Sequence, residues 1–145
     1  MRKIFVILVL LSWIFALSAQ NSGTGLGLIL GEPTGVCGKM WIGSNTAYDA
    51  AAAWSFGDEA ALHLHADMLF HNFKLIESNL PVYYGIGVRV KLADDPKLGV
   101  RMPVGIDYFI PNAPLDVFFE IVPILNLMPE TEFGINSGLG LRYFF

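Results

Sequence analysis

Apolar and polar positions alternate with a period of two along most of this chain after residue 23. That period belongs to strands with two unlike faces, not to helices. The runs are "TGLGLILG" (24–31), "GVCGKMWI" (35–42), "TAYDAAAAWSF" (46–56), "ALHLHADMLFH" (61–71), "LPVYYGIGVRVKL" (80–92), "LGVRMPVGIDYFI" (98–110), "LDVFFEIVPIL" (115–125) and "EFGINSGLGLRYFF" (132–145), eight in all. Turn-type sequences separate them: "EPT", "GSN", "GDE", "ADDPK", "PNAP" and "NLMPET". The one longer link is "NFKLIESN" (72–79), and no linker or low-complexity tract breaks the series. The first two runs are short and are expected to extend into "SGT" and "GSN". Pro103 and Pro123 lie inside runs, where each removes a ladder donor, so a bulge or kink is expected at both. Pro123 is also expected to reverse the parity of its strand beyond it.

One parity of each run is nearly pure apolar, as in Val82, Tyr84, Ile86, Val88, Val90 and Leu92. The other parity carries glycine, the histidines and charge: Lys39, Asp49, Asp67, Arg89, Lys91, Arg101, Asp107, Asp116, Glu120 and Arg142. A soluble sandwich or lipocalin-type barrel would turn the apolar face inward. A transmembrane barrel would turn it to lipid and enclose the charges. Three features favour the second. The charged parity holds five bases and five acids, as an enclosed space requires when an unpaired ion costs several kcal/mol. Aromatic residues of the apolar parity gather near run ends, with Tyr48, Phe70, Tyr84, Tyr108, Tyr143 and Phe145 towards one end and Trp54, Phe56 and Phe133 towards the other. Two such girdles mark a membrane's two interfaces. Finally, Leu139, Leu141, Tyr143 and Phe145 alternate up to a terminal aromatic.

The start of the chain adds a compartment. "MRKIFVILVLLSWIFALSA" has a basic beginning at Arg2 and Lys3, an apolar stretch from Ile4 to Phe15 and small residues for cleavage after Ser18 or Ala19. Residues 1–19 therefore read as a secretory signal peptide and residues 20–145 as one barrel domain. Cys37 is the single cysteine, so no internal disulfide framework exists. Of nine bases, removal of Arg2 and Lys3 leaves seven against thirteen acids, which argues against nucleic acid as a partner. The chain is 54% hydrophobic, yet no apolar run after residue 19 is long enough for a membrane helix.

The signal peptide, the eight alternating runs and the "LRYFF" end together resemble the small eight-stranded bacterial outer-membrane barrel superfamily, of OmpA membrane-domain or OmpX type. The resemblance spans essentially the whole mature chain. It implies an all-β, eight-stranded antiparallel up-and-down transmembrane β-barrel in the bacterial outer membrane; this chain's short loops depart from the family, whose extracellular loops are usually longer. It also implies that Leu139, Leu141, Tyr143 and Phe145 form the signal read by the outer-membrane assembly machinery.

Within such a barrel His63, His65 and His71 share the inward parity with Asp67. Histidines at i and i+2 can chelate one metal, with Asp67 adding oxygen. His71 lies four residues past Asp67, about 13 Å along a strand, too far to join them. His63, His65 and Asp67 are thus a weak metal site without a third clustered ligand, and a polar lumenal network with no cofactor is the preferred reading. Catalysis has little to build on: Ser55 and Ser137 read as lying on or near the lipid parity, and no G-x-S-x-G element occurs. Cys37 reads as a small buried hydrophobe. Trp41, Tyr83, Phe109, Phe118 and Phe144 should help the charges to fill an interior that eight strands leave narrow.

Glu32, Asp58, Glu59, Asp94, Asp95, Glu130 and Glu132 fall in or beside the odd-numbered connections. With periplasmic termini those connections share the extracellular end, which gives an acidic rim. Solvation of the loops explains such a rim; a role in holding Mg²⁺ or Ca²⁺ against lipopolysaccharide phosphates is the sharper alternative. The expected function is that of a structural or integrity-type outer-membrane protein, not an enzyme. It is expected to be monomeric, with a closed, salt-bridged lumen, and to have membrane lipid and lipopolysaccharide as partners. A minor gated small-solute channel or a lipid-acting enzyme is the alternative.

Overall fold

The structure, a computed structural model, describes residues 23–32, 34–55 and 60–145, with Glu32 seen by its backbone alone. The signal segment, Phe56, Asp58 and Glu59 lie outside the described residues. The chain is all-β and antiparallel: β1 (Thr24–Glu32), β2 (Thr34–Trp41), β3 (Thr46–Ser55), β4 (Ala61–Glu77), β5 (Leu80–Leu92), β6 (Lys97–Arg101), β7 (Val104–Phe109), β8 (Leu115–Met128) and β9 (Glu132–Phe144). Consecutive strands are neighbours, and β9 returns to pair with β1 from Gly25 opposite Phe144 to Glu32 opposite Ser137. The sheet is therefore a closed up-and-down barrel.

The sixth run is the one that departs from an unbroken strand. It is interrupted at Met102 and Pro103, so nine strands form eight walls, with β6 and β7 sharing one. No bulge accompanies the break. Arg101 and Val104 keep one register against both β5 and β8. Pro103 has no N–H to give, but its carbonyl accepts from Gly85 N at 2.9 Å, and Met102 N donates to Pro123 O at 3.0 Å. The two prolines thus meet in adjacent walls, and the missing donors fall in one patch. Pro123 neither bulges β8 against β9 nor reverses its faces, because Val122, Ile124 and Asn126 all remain buried. The bulge that does occur is elsewhere, between Leu98 and Gly99.

Three further boundaries differ from the sequence reading. β2 ends at Trp41 and does not run through "GSN". β8 continues past Leu125 to Met128. The "NFKLIESN" link is mostly strand: β4 and β5 extend together into a hairpin with an irregularity between Asn72 and Glu77. Phe73 turns back beneath the barrel to pack on Trp41 and Phe109, while Leu75 and Ile76 stay exposed.

The faces have the inside-out sense. Leu26, Leu28, Leu30, Tyr84, Ile86, Val88, Ile135 and Leu139 are all exposed, whereas Lys39, Asp67, Arg101, Asp107, Asp116 and Arg142 are each at most 4% exposed. Aromatic pairs lie on the outer surface near the end that carries the termini, with Phe70 beside Tyr84 and Tyr143 beside Phe145. Glycine on the inward parity lets the curved wall close. At Gly27 a Cβ would collide with the backbone of Leu141 and Arg142 across the closing ladder, and at Gly140 it would strike the Phe118 ring. Gly27→Val is therefore expected to abolish the compact, heat-modifiable form in a refolding assay on semi-native gels. The outward Leu28→Val is expected to retain it.

Candidate functional site

The inward parity of the strands delivers Lys39, Asp49, Asp67, Arg89, Lys91, Arg101, Asp107, Asp116, Glu120, Arg142 and the three histidines to one lumen, where they sort into separate groups. Nearest the termini, Lys39 from β2, Asp107 from β7, Asp116 from β8 and Arg142 from β9 make a quartet of two bases and two acids. Lys39 Nζ donates to Asp107 Oδ2 at 2.8 Å. Arg142 grips Asp116 with both Nε and Nη2 at 2.9 Å, and Nη2 also reaches Asp107 Oδ2 at 3.2 Å. The Arg142 guanidinium sits 4.1 Å over the Phe118 ring, and Lys39 sits 4.4 Å over Trp41. His71 Nε2 is 2.7 Å from Lys39 Nζ and its Nδ1 meets the Asn45 carbonyl at 3.1 Å. His71 therefore belongs to this quartet and stands apart from the other histidines. Trp41, Ala47, Phe109 and Phe144 pack below as an apolar cluster, with Phe73 against them.

The middle group is uneven. Arg101 pairs with Asp67 at 2.9 Å and with Glu120 at 3.3 Å, and Tyr83 donates its hydroxyl to Glu120 at 2.8 Å. Asp49 joins from β3, directly opposite Asp67 in the register. Two carboxylates thus share one guanidinium, and the third, Asp49, stands beside Asp67. Nearer the other end Arg89 donates through Nε and Nη2 to Asn126, a neutral amide. Among the described residues no ion pair involves Arg89, Lys91 or Asp49. The five-to-five balance of the sequence is therefore not a set of five local pairs. Among the described residues the one ion pair outside the lumen is Lys97 with Glu132, 3.1 Å apart and partly exposed.

His63 and His65 separate as well. His63 Nε2 is 3.1 Å from Ser55 Oγ, which corrects the expectation for Ser55. That serine follows the same parity as Asp49 and the buried Ala51 and Ala53, so it points inward. Ser137 stays on the outward parity. Among the described residues buried His63 Nδ1 has no hydrogen-bond partner, so none of them is an acid that orients the ring. His65 instead approaches Asp67, with Nε2 3.9 Å from Oδ2. A cavity of about 30 Å³ lies between these groups, lined in part by His63, His65, Arg89, Arg101, Glu120 and Asn136. Cys37 is buried in an apolar cluster with Ile29, Ala51, Leu69, Tyr83 and Phe118.

The residue that sequence reasoning left out of the metal candidates is Asp49. His65, Asp67 and Asp49 offer ligand atoms all within 4.8 Å of one another, while His63 is engaged elsewhere. The signal for Asp49 is a cross-strand register, which parity alone does not supply. At the rim, Asp94, Asp95, Glu130 and Glu132 are exposed at the end away from the termini. The side chains of Glu32, Asp58 and Glu59 lie outside the described residues.

The quartet supplies a direct test. Arg142→Ala leaves Asp116 without a base and Asp107 with Lys39 alone, so it should lower unfolding stability by about 3–5 kcal/mol. Lys97→Ala at the exposed pair should cost less than about 1 kcal/mol. Denaturant titration of both variants in detergent measures the contrast.

No known protein family's profile and no curated protein match this chain. Among solved structures it is similar to the crystal structure of the N-terminal beta-barrel domain of Pseudomonas aeruginosa OprF. The TM-score is 0.71 at 12% identity, over 88% of this chain and 100% of that one. At that identity the likeness shows the fold: this chain has the barrel architecture of the OprF N-terminal domain.

Proposed function

We propose that this chain is an integral protein of the bacterial outer membrane, of the structural or integrity type, with a closed lumen held by buried ion pairs. The observation that carries the reading is the inside-out partition. Leucine, valine and isoleucine side chains cover the outer wall while Arg142, Lys39, Asp107 and Asp116 pair inside it. A water-soluble barrel would gain nothing from that arrangement, whereas lipid rewards the apolar belt and makes every unpaired internal charge costly. The OprF-like fold and the alternating end of β9 support the same location. Trp41, Phe109, Phe144 and the quartet lie across the lumen, which supports a barrel that conducts little.

On this reading the protein is a monomer surrounded by outer-membrane lipid, with lipopolysaccharide beside the acidic rim. The assembly machinery recognises Leu139, Leu141, Tyr143 and Phe145. Purified protein should migrate with heat-dependent mobility, fractionate with outer membranes and give no stable conductance steps in a planar bilayer. Recovery as a soluble periplasmic protein would refute the location, and regular unitary steps would refute the closed lumen. Deleting Phe145 should leave unassembled, protease-sensitive chain while transcript and export remain normal. Pulse-chase labelling with protease challenge reads this out.

A further inference from the structure

We propose that Asp49, His65 and Asp67 form a site for a divalent transition cation of the zinc type inside the barrel. Register builds the site. Asp49 on β3 stands directly opposite Asp67 on β4, and His65 precedes Asp67 by two residues, which returns it to the same face. One nitrogen and two carboxylate oxygens then lie within 4.8 Å of one another. An ion held at about 2.1 Å by each donor needs those atoms no more than about 4.2 Å apart. Small rotations of the side chains close that difference.

Two independent observations point to a ligand. Asp67 is 3% exposed and gives Oδ1 to Arg101, while no N–H donor among the described residues reaches its Oδ2 or Oδ1 of Asp49. Buried carboxylate oxygens are seldom left so. Charge is the second. Asp67 and Glu120 both pair with Arg101 and Asp49 stands opposite Asp67, so acids outnumber bases around these ligands even with Arg89 across from His65 counted. A cation bound between Asp49 and Asp67 offsets that excess. The cavity of about 30 Å³ beside His65 has room for a water at the open coordination position. An imidazole with two carboxylates suits zinc or cobalt better than calcium or magnesium, which favour all-oxygen shells with more ligands.

The test uses the full mature barrel, folded in detergent, stripped with chelator and titrated with Co²⁺. One equivalent should produce ligand-field absorption in the visible range, and Zn²⁺ should displace it. Asp49→Asn and His65→Gln should each weaken binding by at least about tenfold, the lower end of losses seen even for supporting residues around metals. His63→Gln removes a histidine of the same strand and face and should leave binding unchanged. Heat-dependent mobility of each variant reports folding separately, so a failed barrel is distinguished from a failed site. A folded wild-type barrel with no Co²⁺ absorption would overturn the proposal, as would binding that survives in His65→Gln or is lost equally in His63→Gln. A protonated-carboxyl infrared band that disappears in Asp49→Asn, with no metal bound, would assign the pair to a shared proton and also overturn it.

Discussion

The ladder joining β1 to β9 is the contact on which the rest of this structure depends. An open sheet of eight walls would end in two rows of unpaired N–H and C=O groups, which invite aggregation in water and are untenable in hydrocarbon. Pairing Gly25 with Phe144 and Glu32 with Ser137 removes both edges at once. The closure is demanding sterically. Gly27 leaves no room for a Cβ beside Leu141 and Arg142, so the seam is possible because the inward position there is glycine. The same seam brings Arg142 inside, where it faces Asp116 across β8.

Once the barrel is closed, its small bore governs the interior. Eight strands enclose a space that side chains nearly fill. Long bases and bulky rings can enter because glycines face them, as Gly140 faces Phe118 and Gly105 faces Tyr83. Crowding then makes charge local. Arg142 has three hydrogen bonds to two carboxylates, whereas Arg89 reaches an amide and Arg101 divides itself between Asp67 and Glu120. The interior is neutral as a whole and uneven in its parts, and that unevenness is where the lumen has chemistry left to do.

The prolines show how a closed wall tolerates residues that cannot donate. Pro103 and Pro123 lie side by side in neighbouring walls. Met102 N and Gly85 N still find the carbonyls of Pro123 and Pro103. A gap of two residues in one strand, with register unchanged on either side, costs less order than a bulge that would turn every later side chain to the wrong face. That constraint explains why the parity of β8 continues through Pro123.

The alternation of side chains determined the strands and their two faces, because a period of two is a local property that every strand carries in its own residues; the balanced charges, the aromatic ends and the terminal aromatic were what favoured the inside-out sense. Val82 to Leu92, Lys39 and Arg142 all have the orientation their parity implies. Strand pairing was another matter. Which residues stand opposite each other is decided by register around the closed ring, and no single run contains that information. The tertiary structure alone set Asp49 against Asp67, sent His63 to Ser55 and His71 to Lys39, and extended β4 and β5 past the expected turn. It likewise decided that five acids and five bases make one balanced quartet, one acid-rich group around Arg101, and two further bases, Arg89 and Lys91, towards the other end. Parity places a side chain in the lumen; only the packed neighbours determine what it meets there.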